Sequence, residues 1–274
     1  MISIKNLNYG FGTKKVLENI NLDVRENEVV MITGSNGAGK TTLLRIMANV
    51  LFPEPGTFQY GLALGKQPRS RIGFISDQMS LYQSMSLQEA IDLHSRLYHV
   101  EDFDATILSE AKLDLKKKIN EHSVGQKLIF HLSLVLSTRP KLLLLDEVLH
   151  AIDPYLREIC LKRILDLLTQ GETTLVMVNL NFHDIENIPQ RVIIIRGNTI
   201  ALDQPLEILK DQVKKIVSKT EIPNLHPFHE RSFADRHEYY VYPFEESLVK
   251  DTGCEVLDLN LNDIVTAFIG GEYA

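Results

Sequence analysis

No apolar run in this chain approaches the roughly 20 residues that a helix needs to cross a bilayer, so any work at a membrane requires another chain to span it. Cysteine is scarce. Cys160 and Cys254 stand too far apart for a zinc pattern or a disulfide framework, which points to a reducing compartment and to inert core thiols. The first residues, Met1-Ile2-Ser3-Ile4-Lys5, enter an alternating pattern directly, without the charged and long apolar segments of a secretory signal. Basic side chains are outnumbered, 29 against 36 acidic, and the formal charge of -7 is a poor footprint for a protein that lives on nucleic acid; no nucleic-acid partner is expected. Internal repeats and low-complexity tracts are also missing. What remains is ordinary globular material, 44% hydrophobic and 24% charged over 274 residues, enough for one large α/β domain or a domain with an appendage.

The periodicity supports that class. Residues 2–7 alternate around Ile2, Ile4 and Leu7, and 16–24 carry Val16, Leu17, Ile20, Leu22 and Val24, a pattern for antiparallel strands. Val29-Val30-Met31-Ile32-Thr33 and Leu142 to Leu145 are continuous apolar runs, as expected of strands buried on both faces. The stretch 40–50 turns helical, and 57–75 is strand-like again. Ser86 and Glu89 form a capping box for a helix carrying Ala90, Ile91 and Leu97, within an otherwise helical and polar stretch over 80–135. Asp153 caps a helix with Pro154 at its first position and Gly171 past its end. The strand 174–178 follows, then a helix to about Ile188, then a hairpin of 192–195 and 199–202 around Gly197-Asn198. Alternating strands and helices imply a mostly parallel, doubly wound sheet. A helix beyond Pro205 leads into an appendage, whose 219–243 part is rich in histidine, proline and aromatic residues.

One motif is specific. Gly34-Ser35-Asn36-Gly37-Ala38-Gly39-Lys40-Thr41 fits the P-loop pattern and lies between an expected buried strand and a helix. Its glycines let backbone N–H groups close around phosphate oxygens. Lys40 would reach the β- and γ-phosphates and the Thr41 hydroxyl a Mg²⁺ ion, with Thr42 in the same first turn. Asp146 and Glu147 end the four-leucine run. The first carboxylate there suits Mg²⁺, and the second suits a residue that orients or deprotonates an attacking water. An apolar run ending in two acids is by itself only a strand reaching solvent; the P-loop gives it meaning.

With these in order, residues 1–205 resemble the ATP-binding-cassette (ABC) ATPase family. His122-Ser123-Val124-Gly125-Gln126 occupies the place of that family's Leu-Ser-Gly-Gly-Gln signature, a partial match. The resemblance implies that Ser123 and Gly125, at the start of a helix over 124–137, face the γ-phosphate held by an opposite subunit. Ala151-Ile152-Asp153 resembles the family's D-loop near the dimer interface, and Phe11, with Tyr9 as the competing choice, matches the aromatic that stacks on adenine. Two positions depart from the family. Its metal- and water-contacting glutamine falls on Asp77, with Gln78 one residue later, and its switch histidine falls on Leu180. His183 is expected on the exposed side of a helix that buries Phe182, Ile185 and Ile188, so loss of the switch is favoured over a shifted histidine.

The fold expected is therefore α/β, a P-loop NTPase core with an antiparallel β lobe from 1–28 and 57–75 and an inserted helical lobe over about 76–137. The ATPase domain would run over 1–204, followed by a C-terminal helix and accessory extension over 205–274. The resemblance implies an ATPase using ATP and Mg²⁺, with Glu147 and Lys40 catalytic and Thr41, Asp146 and Asp77 at the metal. Its partners would be a second such subunit, the same or different, and an integral permease, which makes it peripheral at the cytoplasmic face of the membrane. The tail from Leu259 to Gly271 resembles drug- and peptide-export subfamilies, hence an exporter; a regulatory subunit paired with a more complete ATPase is the alternative. His226 and His229 lie in a segment that reads as loop and lack an evident third metal ligand, and the basic stretch Lys112 to Lys118 reads as a solvated helical face.

Overall fold

A computed structural model describes residues 1–76, 82–178, 186–222, 225–249 and 253–270, with the backbone alone at 150 and 151. The chain opens with a long hairpin, β1 (Ile2–Phe11) and β2 (Lys14–Val24), followed by β3 (Val29–Gly34) and α1 (Lys40–Met47). The short strand β4 (Phe58–Tyr60) precedes β5 (Ile72–Ile75). The helical part holds α2 (Leu87–Tyr98), α3 (Thr106–Glu110) and α4 (Val124–Ser137). Then come β6 (Leu142–Asp146), α5 (Pro154–Thr169), β7 (Thr174–Val178), β8 (Arg191–Arg196), β9 (Thr199–Pro205) and α6 (Leu206–Gln212). The chain closes with β10 (Lys214–Ser218), β11 (His229–Ser232), β12 (His237–Val241), β13 (Glu255–Asp258) and α7 (Leu261–Ile269).

The central sheet has the order β5-β6-β7-β3-β8-β9, parallel except for β9. Side chains on a strand alternate between faces, and both faces here are covered. Val30, Ile32, Leu142, Leu144, Val176 and Val178 join the core shared with α1 and the hairpin. Their neighbours Val29, Met31, Leu143, Leu145, Leu175 and Met177 join the core shared with α4, α5 and α7. That is why the runs are apolar throughout rather than alternating. Gly73 of β5 is needed for space: a side-chain carbon there would lie 2.4 Å from the Val135 side chain of α4.

Three expectations change. Only Phe58–Tyr60 of the 57–75 stretch joins the antiparallel lobe, in the order β2-β1-β4, whereas Ile72–Ile75 pairs in parallel with β6. The apolar Ile72-Gly73-Phe74-Ile75 needs covering on both faces, which an edge of the lobe does not offer. Lys112 to Lys118 is not helical, because Lys112 takes a φ of 51° and the Asp114 carboxylate accepts the Lys116 amide at 3.0 Å, a local turn that competes with helix. His229 lies on a strand rather than in a loop, within a separate antiparallel sheet of order β11-β12-β10-β13. The last helix, α7, buries Leu261, Ile264, Val265, Ala267 and Ile269 in the main core beside β3 and β8. Asn260 caps it, and the Glu186 carboxylate accepts the Leu261 amide at 3.1 Å.

Candidate functional site

Parallel strands deliver their carboxyl ends to one edge of the sheet, which is where ligands bind in open α/β folds. Three functional segments converge there, the loop after β3 and the ends of β6 and β7, with Asp146 in register with Val178. Helix α1 starts from Gly39, which has φ 102° and no side chain to cap the first turn. An uncapped helix start offers several N–H donors and the positive end of the helix dipole to an anion. Glycine is required on two grounds at Gly39: the left-handed backbone, and a side-chain carbon that would sit 2.6 Å from Leu17 and 2.7 Å from the Val16 carbonyl. Gly34, at φ 147°, passes so near β8 that such a carbon would meet the Ile195 carbonyl at 2.0 Å. Nothing stands within 4 Å of the corresponding position on Gly37, so the loop is open on that side.

Lys40 is buried, at 6% exposure, and its ammonium donates to the Gly34 carbonyl at 2.8 Å and the Ser35 carbonyl at 3.0 Å. Burial pulls its pKa below the ordinary lysine value, while the nearby Glu147 and Asp146 carboxylates pull it back up. The Thr41 hydroxyl donates to the Asp146 carboxylate at 3.1 Å, joining α1 to the end of β6. A hydroxyl and a buried carboxylate side by side are hard oxygen donors of the kind Mg²⁺ takes, so these residues fit that ion. Glu147 follows in the left-handed region, φ 54° and ψ 25°, with its amide donating to the Val178 carbonyl at 3.0 Å. A side-chain-bearing residue held there costs on the order of 1 to 3 kcal/mol, the kind of strain that gathers at functional sites.

Tyr9 and Phe11 stand edge to face, ring centroids 5.5 Å apart, near the tip of the β1–β2 hairpin, and Phe11 is 53% exposed. Because Val16 and Leu17 of β2 pack on Gly39, that tip is a neighbour of the P-loop. Ser123 and Gly125 lie instead at the start of α4 on the helical lobe. There Ser123 and Gln126 form a reciprocal capping box, the hydroxyl accepting the Gln126 amide at 3.3 Å. Asp153 caps α5 by accepting the Leu156 amide at 3.1 Å. Asp77, Gln78, Leu180, Phe182, His183, Ile185 and Gly271 lie outside the described residues. Sequence reasoning missed the backbone of Glu147, for which no local signal exists, and the packing of Gly39 on β2, which joins segments far apart in the chain.

Residues 17–150 match the family described as ABC transporter. The uncharacterized ABC transporter ATP-binding protein YxlF of Bacillus subtilis (strain 168) is 30% identical over 224 residues, 77% of this chain and 73% of that protein. The methionine import ATP-binding protein MetN of Clostridium tetani (strain Massachusetts / E88) is 29% identical over 245 residues, 82% of this chain and 77% of that one. A solved dimer of the ATP-binding cassette MJ0796, in a post-hydrolysis state bound to ADP and Pi, has the same fold, with a TM-score of 0.64 over 75% of this chain and 99% of the other at 23% identity. On this relationship, and with the P-loop and the paired carboxylates at one sheet edge, the chain belongs to the ATP-binding subunits of ABC transporters and is an ATPase of that family.

Proposed function

We propose that two such subunits close on ATP and reopen after hydrolysis, and that a separate membrane-spanning permease turns this motion into transport, in the direction of export. The observation that carries the nucleotide part is the convergence of an uncapped helix start, the buried Lys40 and the Thr41–Asp146 pair at one sheet edge. In this reading residues 35–42 wrap the phosphates with backbone amides, Lys40 neutralises the β- and γ-oxygens, and Phe11 or Tyr9 covers the adenine. Thr41 and Asp146, with Asp77, would hold Mg²⁺, which when bound screens the charge that develops on the phosphate oxygens. Glu147 orients and deprotonates the attacking water, and Ser123 and Gly125 close the site of the opposite subunit.

The permease half has its own support. Among the described residues no helix is long and apolar enough to cross a membrane. A groove of about 520 Å³, lined by Asn49, Gln67, Pro68, Arg69, Ser70 and Tyr98, opens between the end of α1 and the end of α2. Tyr98, 50% exposed, presents an apolar ring there, and Phe52, 66% exposed, stands beside the lining residue Arg69, whose guanidinium lies 5.8 Å from the Phe52 ring centre. Docked on a permease through this groove, the subunit sits peripherally on the cytoplasmic face. Export is read from the tail after Leu259. ATP-driven uptake into inside-out vesicles carrying the complete transporter is the result expected of an exporter, and uptake into right-side-out vesicles would make it an importer, as the name of the methionine relative states for that protein.

The pairing itself is tested with Glu147→Gln, which keeps size and hydrogen bonding and removes the base. With MgATP the variant should accumulate as a closed dimer in size-exclusion chromatography while phosphate release falls by about 10² or more. Identical elution and identical ATP loss in wild type and variant would remove Glu147 from the role of base.

A second reading, a regulatory subunit beside a more complete ATPase, is favoured by Val124. It stands where the family's signature has glycine and is 61% exposed at the start of α4, so it adds bulk to the surface that would meet the opposite nucleotide.

A further inference from the structure

Between the pairs Ile4 with Leu22 and Leu7 with Ile20, β1 carries two residues, Lys5 and Asn6, where β2 carries only Asn21. Between Leu7 with Ile20 and Tyr9 with Leu17 the count reverses, and Glu18 and Asn19 of β2 face Asn8 of β1. These are β-bulges on opposite strands, in succession. Each holds an asparagine in the left-handed region, Asn6 at φ 48° and Asn19 at φ 49°, which asparagine tolerates better than most residues.

The asparagine across from each bulge closes it. Asn21 accepts the Asn6 amide at 2.9 Å through Oδ1 and donates through Nδ2 to the Asn19 carbonyl at 3.0 Å. Asn8 accepts the Asn19 amide at 3.0 Å and donates to the Asn6 carbonyl at 3.1 Å. The result is a reciprocal clasp in which two side-chain amides stand in for the ladder bonds the bulges interrupt. A third irregularity follows at Val16, whose carbonyl lies against Gly39 of the P-loop. Asn198, in the β8–β9 turn, fastens β2 to the central sheet: its carbonyl accepts the Glu18 amide at 2.8 Å, and its Nδ2 reaches the Lys15 carbonyl at 3.5 Å.

Bulges bend a strand and raise its local twist, which re-aims whatever lies beyond them. What lies beyond these is the tip with Tyr9 and the exposed Phe11. The clasp side chains are exposed and add little to the core, so direction is the geometric product of the network.

We propose that the Asn6, Asn8, Asn19 and Asn21 clasp, fastened to the central sheet by Asn198, is a positioning device that holds the aromatic tip against the nucleotide base and sets base affinity separately from phosphate affinity. The proposal rests on the reading of Phe11 or Tyr9 as the residue that covers the adenine.

The test compares calorimetric affinities of the full chain for MgATP and for magnesium tripolyphosphate, which has the phosphates and no base. Asn8→Ala with Asn21→Ala removes the side-chain bonds of the clasp and should weaken MgATP binding by about tenfold, within what base stacking contributes, while tripolyphosphate stays within about twofold. Asn6→Gly is the conservative control, since Asn6 joins the clasp through its backbone and glycine keeps the positive φ; it should bind both ligands like wild type. In a Phe11→Ala, Tyr9→Ala background the clasp substitutions should add no further loss. Equal losses for MgATP and tripolyphosphate would make the clasp a merely structural element and overturn the proposal. So would an unchanged MgATP affinity of the clasp variant when removal of the aromatics lowers it. If neither aromatic substitution changes MgATP affinity, the base reading itself fails and the proposal goes with it, whatever the clasp variants do.

Discussion

Lys40 shows how one side chain can be prepared for a ligand. Its ammonium is desolvated but not isolated, because it donates hydrogen bonds to the Gly34 and Ser35 carbonyls and two carboxylates stand near. Among the described residues its direct partners are neutral, and a buried cation so held is well placed to be completed by phosphate oxygens. Lys40→Ala should therefore remove most MgATP binding in titration calorimetry, by about 10² or more, while the melting temperature without nucleotide changes little. An unchanged affinity would end the P-loop assignment. Glu147 makes the opposite case, a residue kept against its backbone preference. Asn is easier to hold at positive φ, so Glu147→Asn should leave the melting temperature equal or higher and still abolish most hydrolysis. A large drop in melting temperature would mean that the carboxylate is there for stability instead.

At the scale of the element, α4 joins a capped start to a partly buried histidine in its body. Burial first, and then the neighbouring His94, push the His131 pKa down from 6.5 to about 4; burial lowers His94 as well. A depressed folded value means that the unfolded chain takes the proton first as pH falls. The stability held by the neutral ring is thus complete above pH 6.5 and is lost as pH drops toward about 4. The interval corresponds to at most about 3 kcal/mol, less in proportion to the solvent the ring retains. His131→Leu should flatten the difference between urea midpoints measured at pH 7.5 and pH 5, and equal differences in wild type and variant would clear His131 of this role.

At the scale of the whole molecule, the question is whether the signature surface and the switch position limit turnover. On the proposed alignment, which puts Leu180 at the switch position, its side chain would offer no donor to a γ-phosphate, and one lost donor to a developing charge typically costs about 10² to 10³ in turnover. Leu180→His should raise steady-state phosphate release at saturating MgATP, and Val124→Gly should raise it further if bulk at the start of α4 holds the subunits apart. Were His183→Ala to collapse activity while Leu180→His left it flat, His183 would be the switch. Were none of the three to matter, the regulatory reading would gain.

The sequence by itself determined what depends on local chemistry. The P-loop glycines, the apolar runs of β3 and β6, and the caps at Ser86, Ser123 and Asp153 all act within a few residues, so each was legible where it stands. Only the tertiary structure decided what depends on which strand lies beside which. Ile72–Ile75 belongs to the parallel sheet because β6 is its neighbour, and a strand-like run cannot announce its partner. Thr41 meets Asp146 across a separation of 105 residues because β3 and β6 run parallel to one sheet edge. The asparagine clasp, likewise, acquires its meaning only when Val16 comes to rest on Gly39, since a local bulge can aim a strand but only packing decides at what.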